Sequence, residues 1–339
     1  MLVLGQVENA GVQAVPTKVA VSPVAVWDLF GKKNANQTKV FVAADVSPEV
    51  QAAVQNTLDV AVETWGSSGR LEYWVLGTDR QAALKLAEAF CKRRVASGHM
   101  TQEECLRDRD NKDHGFLTYQ AIGSEALSSG KPRGSAGHNG GAQWEFHNMT
   151  SSLPLGFAGK LSVPAEDEQI TILHEYWHSI QNSFIQTKNH KQRRELMGPV
   201  WFVEGSAVAM AETTAAGLWK IGKLPRSKNA GRSWPSLQQR MADKMKQVQE
   251  LRKRCPTLLP DSYEGECRQL AYESGAWAVA YLMNRSGRDV LLKSFHPNVE
   301  RLGWKVAFEQ TFGQSVAEFE VEFKTFMDKP LEKQLSILR

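Results

Sequence analysis

Short β-branched and aromatic runs alternate with helical 3/4-spaced stripes through the first third of the chain, and beyond it the helical period dominates. Residues 39–44 (KVFVAA) and 71–76 (LEYWVL) read as strands. Between them Val50, Val54, Leu58 and Val62 or Trp65 share one helix face; Asp45 or Ser47 can cap that helix, Pro48 opens it and Gly66 stops it. A second helix spans about residues 79–95. This strand–helix–strand–helix order predicts a small α/β layer serving as scaffold. Residues 1–37 read as an irregular lead-in, and the polar stretch 97–113 as a surface loop. Residues 116–122 (FLTYQAI) alternate like a strand, 128–142 form a Gly/Ser-rich loop, and 143–149 (QWEFHNM) read as an edge strand.

The second half is read as helices. In residues 170–184, ITILHEYWHSIQNSF, the apolar Ile170, Leu173, Trp177, Ile180 and Phe184 repeat at 3/4 spacing. Pro164 and the acidic Glu166, Asp167 and Glu168 suit the first turn of that helix. A second helix covers residues 199–217, and others start near Pro235 and cover 268–285 and the end of 312–327. The expected fold class is α+β: an N-terminal mixed α/β sheet subdomain (1–160) with an edge strand, then a mainly helical subdomain (161–339), with a cleft between them.

Composition changes this picture little. Of the 339 residues 42% are hydrophobic and 23% charged, as in ordinary globular proteins. No apolar run is long enough to span a bilayer. A formal charge of +4 is too small to argue for nucleic acid, and no RNA- or DNA-binding motif supports it. The basic stretch 219–254 reads as a solvated amphipathic face or a surface for an acidic partner. The cysteines fall in two local pairs, Cys91 with Cys105 and Cys255 with Cys267; they read as two short-loop disulfides, which imply an oxidising, extracellular or periplasmic compartment, or as four buried free thiols. The N-terminal MLVLGQVENAGVQAVP lacks a basic region followed by an apolar core, so a secretory leader is expected outside this sequence. Asn36, Asn148 and Asn284 open glycosylation tripeptides.

The chemistry lies in His174-Glu175-Tyr176-Trp177-His178. Four residues apart on a helix, His174 and His178 share a face and can hold one metal ion, with Glu175 beside it as general base. Glu204 follows 26 positions after His178 (204 − 178), in the apolar setting WFVEG, where a carboxylate is usually paired or metal-bound. Ala207, Val208 and Ala211 on its face allow close helix approach, which brings Glu204 to the same ion. Two His and one Glu leave zinc an open position, the arrangement of catalytic rather than structural sites.

HEYWH followed by WFVEG resembles the gluzincin metallopeptidases, whose third zinc ligand is a glutamate on a downstream helix. The likeness implies a zincin-like fold, a Zn2+ cofactor held by His174, His178 and Glu204, and hydrolysis of a peptide or protein substrate with Glu175 as base and acid. Residues 271–282 (AYESGAWAVAYL) look like the helix of aminopeptidase-like gluzincins that begins Tyr-Glu-Lys-Gly, which assigns Tyr272 as oxyanion donor; Ser274 stands where that family has lysine. The family's Gly-Ala-Met-Glu-Asn strand has a counterpart only out of register, in Gly141-Ala142-Gln143-Trp144-Glu145. The specific resemblance covers about residues 165–285. A catalytically silent zinc-binding interaction or adhesion domain and a non-peptide amidohydrolase are the alternatives, and an intact Glu175 argues against the first.

Overall fold

A computed structural model describes residues 30–32, 38–227 and 235–338. The lead-in to residue 29 lies outside them, as does Asn36. The protein is mixed α/β, with a four-stranded sheet in its N-terminal part and a mostly helical C-terminal part.

The sheet contains β1 (Thr38–Val42), β2 (Arg70–Val75), β3 (Ala136–Gly141) and β4 (Phe146–Ser151) in the order β1-β2-β4-β3. The first three neighbours run parallel, while β3 pairs antiparallel to β4 with His138 opposite Met149. Between the strands lie α1 (Pro48–Trp65), α2 (Arg80–Ala96), α3 (Gln102–Arg109) and α4 (Phe116–Ser129). Ser47 caps α1 through the Val50 N–H, and Asp79 caps α2 through the Ala82 N–H.

Four expectations need correction here. Residues 116–122 open helix α4, because Phe116, Tyr119, Gln120 and Gly123 are its buried face; that set fits a helical 3/4 spacing as well as part of the alternation suggested a strand. The supposed loop 128–142 contains β3, a glycine-rich strand defined by backbone pairing rather than by side chains. The expected edge strand 143–149 is instead a turn followed by β4, which is flanked by β2 and β3 and so is not an edge. Its Asn148 is buried, which removes it as a glycosylation acceptor. The loop 97–113 also holds α3, started by the reciprocal capping of Thr101 and Glu104.

Successive β2 side chains point to opposite faces. Trp74 meets Phe90 of α2 and Phe116 of α4 on one. On the other lies α5 (Ala165–Ser183), the helix of the HEYWH motif, packed beside α1; Tyr176 donates to the Gly66 carbonyl at the end of α1 (2.5 Å). Beyond Ile172 nearly every α5 residue is buried, so the helix is central rather than amphipathic.

The helical part follows with α6 (His190–Met197), α7 (Val200–Lys220), α8 (Leu237–Leu251), α9 (Arg268–Ser286), a π turn (Leu291–Phe295) and α10–α13 (His296–Leu302, Trp304–Phe312, Val316–Met327, Leu331–Leu335). Helices α7 and α9 meet at Gly205 and Gly275. A Cβ on Gly205 would lie 2.3 Å from the Gly275 carbonyl carbon, and one on Gly275 would lie 2.3 Å from the Trp201 carbonyl oxygen. No side chain fits between these backbones. The basic stretch is partly internal neutralisation: Arg240 pairs with buried Glu212 (2.6 Å), and Lys244 with Glu212 and buried Glu273. Residues 228–234 of it lie outside the described set.

Both expected disulfides are present. Cys91–Cys105 joins α2 to α3, and Cys255–Cys267 closes the loop before α9. They are consistent with an extracellular location. Among the described residues, no helix is long and apolar enough to cross a membrane.

Candidate metal centre

The middle of α5 and the first turns of α7 and α9 converge on one point. His174 and His178 bring their Nε2 atoms 3.1 Å apart, and Glu204 Oε2 lies 3.3 Å from the first and 3.4 Å from the second. Among the described residues this is the single group of three or more potential metal donors. Glu204 is only 5% exposed, His178 is buried and His174 half-buried, so the group sits at the edge of the core, facing outward on one side.

The ring orientation of His178 is fixed from behind. Its Nδ1 is 2.7 Å from Gln181 Oε1, while Gln181 Nε2 donates to the Val203 carbonyl (3.0 Å) and Ser206 Oγ (2.8 Å). Those two bonds assign the amide nitrogen, so its oxygen faces the imidazole and Nδ1 carries the hydrogen. In the neutral ring His178 Nε2 therefore presents a lone pair to the cluster, the form a metal would bind. Burial works against the charged form of His178, but the Glu204 carboxylate outweighs it and lifts the imidazole to about 9. The reverse holds at Glu204, where burial favours the neutral acid and the two imidazoles hold the carboxyl well below its usual range. A positive charge placed among these atoms is thus strongly favoured.

Glu175 is buried next to the cluster, and its carboxylate accepts the backbone N–H of His138 on β3. Burial raises its pKa, against the pull of His174 and His178. The Tyr272 ring stacks on His174, with centroids 6.3 Å apart and planes 17° from parallel. Its hydroxyl pKa is raised, first by burial and then by Glu204. All five residues singled out in the sequence are thus brought together. Ser274 is fully buried within α9.

The structure adds residues that the sequence did not mark. Tyr263, in the loop closed by Cys255–Cys267, donates to Glu204 Oε1 (2.9 Å). His138 faces His178 with ring centroids 6.4 Å apart and meets His147 (Nε2 to Nδ1, 3.2 Å). Neither tyrosine nor histidine lies in a motif; only their pairing across the fold identifies them. Glu145, by contrast, is held by Lys188 (2.5 Å) in the β3–β4 turn. A groove of about 1320 Å³ is lined by Tyr263, Asn182, Val203, Arg193, Trp304 and Glu309, while His174, Glu175, His178, Glu204 and Tyr272 are not among its lining residues. The Gly140 carbonyl at the end of β3 is taken by Arg193 (3.0 Å) and Gln143 (2.8 Å).

No protein-family model, curated protein or solved structure matches the chain.

Proposed function

We propose that this protein is a secreted zinc-dependent metallopeptidase of the gluzincin kind, hydrolysing peptide bonds in a peptide or protein substrate. The observation that carries this reading is the triangle of His174 Nε2, His178 Nε2 and Glu204 Oε2. Tetrahedral zinc with bonds of about 2.0–2.1 Å holds its donors roughly 3.3–3.4 Å apart. The three sides here measure 3.1, 3.3 and 3.4 Å. Two imidazoles and one carboxylate also form a donor set suited to zinc, with one position left for chemistry.

Zinc bound there supplies Lewis acidity toward a substrate carbonyl and acidifies water. The chain's own residues do the rest. Glu175, buried beside the ligands, takes up a proton and returns it to the leaving amine. Tyr272, stacked on His174, offers its hydroxyl to the oxygen on which charge develops. Gln181 holds His178 in the tautomer that ligates. The groove beside Tyr263 gives a substrate chain a path away from the reacting bond.

The test is a peptide-library digestion with and without chelator, run alongside metal analysis. Chelator-sensitive cleavage that is lost in Glu175→Gln supports the proposal. Stoichiometric zinc with no cleavage at any pH would assign the site to a binding module instead, and cleavage confined to non-peptide amides would assign an amidohydrolase.

A further inference from the structure

We infer that Tyr263, carried on the loop closed by the Cys255–Cys267 disulfide, is a positioning residue that makes Glu204 a one-oxygen metal ligand. The inference rests on the metal-site reading above and adds a residue and a structural device to it.

The loop grips helix α7 at two points. Asp261 Oδ1 accepts the Val200 N–H (2.8 Å), one of the first-turn donors that a helix leaves without an internal partner. One turn further on, the Tyr263 hydroxyl donates to Glu204 Oε1. The other oxygen, Oε2, is the one that faces both imidazoles. With Oε1 engaged by the phenol, only Oε2 is directed at the ion position. Two-oxygen ligation would require Oε1 to leave Tyr263, and it would fill the position on which the chemistry depends.

Packing alone does not explain a tyrosine here. Its residue surface is 49% exposed and lines the groove, whereas the large aromatics of the core are almost wholly buried. What reaches inward is the hydroxyl. The segment from 256 to 266 has no helix or strand to order it, so its shape depends on buried Leu259, on Asp261 and on the disulfide across a 12-residue separation. Closing such a loop limits the conformations from which Tyr263 must be drawn. Opening the disulfide frees the loop and with it the Glu204 carboxylate, so metal affinity is tied to an oxidised Cys255–Cys267 pair. Cys91–Cys105 provides an internal control, because it joins α2 to α3 on the sheet face away from α5.

The experiment compares wild type, Tyr263→Phe, the double variant Cys255→Ser/Cys267→Ser and the double variant Cys91→Ser/Cys105→Ser. Zn2+ affinity is read by competition with a chromophoric chelator, coordination by the visible spectrum of the Co2+-loaded protein, and folding by far-ultraviolet circular dichroism. Tyr263→Phe is expected to bind Zn2+ about 10–100-fold more weakly, the usual effect of removing a residue that orients a ligand. Its Co2+ spectrum should shift as the second carboxylate oxygen joins. The 255/267 variant should reproduce both changes and the 91/105 variant neither. Wild-type affinity and spectrum in Tyr263→Phe overturn the inference while leaving the metal site standing, and this variant alone decides if the 255/267 variant does not fold. Equal losses in both disulfide variants overturn the role given to the loop. Wild-type protein that binds neither Zn2+ nor Co2+ refutes the metal reading itself.

Discussion

Glu72 on β2 and Glu204 on α7 are both buried carboxylates, yet their surroundings differ in kind. Glu72 is met by donors: Arg93 at 2.5 Å, Arg94 at close hydrogen-bond distance and Arg70 at 3.4 Å, with the Arg94 guanidinium lying 3.8 Å above the Phe146 ring. The negative charge is answered inside the protein, as buried ion pairs require. Glu204 Oε1 accepts from Tyr263, but its Oε2 faces the Nε2 atoms of both His174 and His178, three atoms that can all act as acceptors. Such a set is stable only with a proton or a cation at its centre. Burial alone therefore does not mark a site; the sign of what the buried group faces does.

Substitutions in either region test this contrast. On the proposed function the largest effect is expected from Glu175→Gln, which should lower kcat by about 10²–10⁴-fold, the usual range for a general acid–base residue, with zinc content unchanged by mass spectrometry. Next comes Glu72→Ala, which strands the arginines. It should cost about 3–5 kcal/mol in denaturant unfolding, with the metal still retained by the folded fraction. If Glu72→Ala instead released metal at full stability, the division between the two regions would fail. Gly275→Ala forces α9 away from the Trp201 carbonyl of α7 and should cost about 1–3 kcal/mol. Because Glu204 and Tyr272 ride on those two helices, chelator competition should show weaker zinc as well.

The smallest effect is a pH dependence at Glu168, in the first turn of α5. Burial there raises its carboxyl to about 7, although the Gly156 N–H donates to it. Between the unfolded value near 4.5 and that raised value, the unfolded chain has released a proton the folded one keeps. Stability therefore falls as pH climbs through this window and is level above it. Because Glu168 is half-buried, the solvent-discounted cost at pH 8 is on the order of 1 kcal/mol. Glu168→Gln should raise the melting temperature at pH 8 and leave it unchanged at pH 4; equal changes at both would remove the titration from the explanation.

Helices α1, α2, α5, α7 and α9 and strands β1 and β2 were legible because their caps, prolines and apolar spacing are local properties. So was the cluster itself, since His174, Glu175 and His178 are set by one helical turn and Glu204 by an apolar context. Residues 116–122 misled because so short a segment satisfies part of both periods, and only packing against α2 and β4 selects the helix. The strand β3 was hidden because Ala136–Gly141 has almost no side chains, its order coming from the β4 ladder. Tyr263 and His138 were hidden for a different reason: each acquires its role from a partner far away in sequence, at Glu204 and at Glu175. Local patterns carry no trace of such pairings.

The most direct measurement is an anomalous-difference map from crystals of the protein grown with zinc, recorded on both sides of the zinc absorption edge. One strong peak is expected, bonded to His174 Nε2, His178 Nε2 and Glu204 Oε2, with Oε1 still on Tyr263. A map with no peak among those three atoms, at a zinc concentration that saturates ordinary catalytic sites, would contradict it.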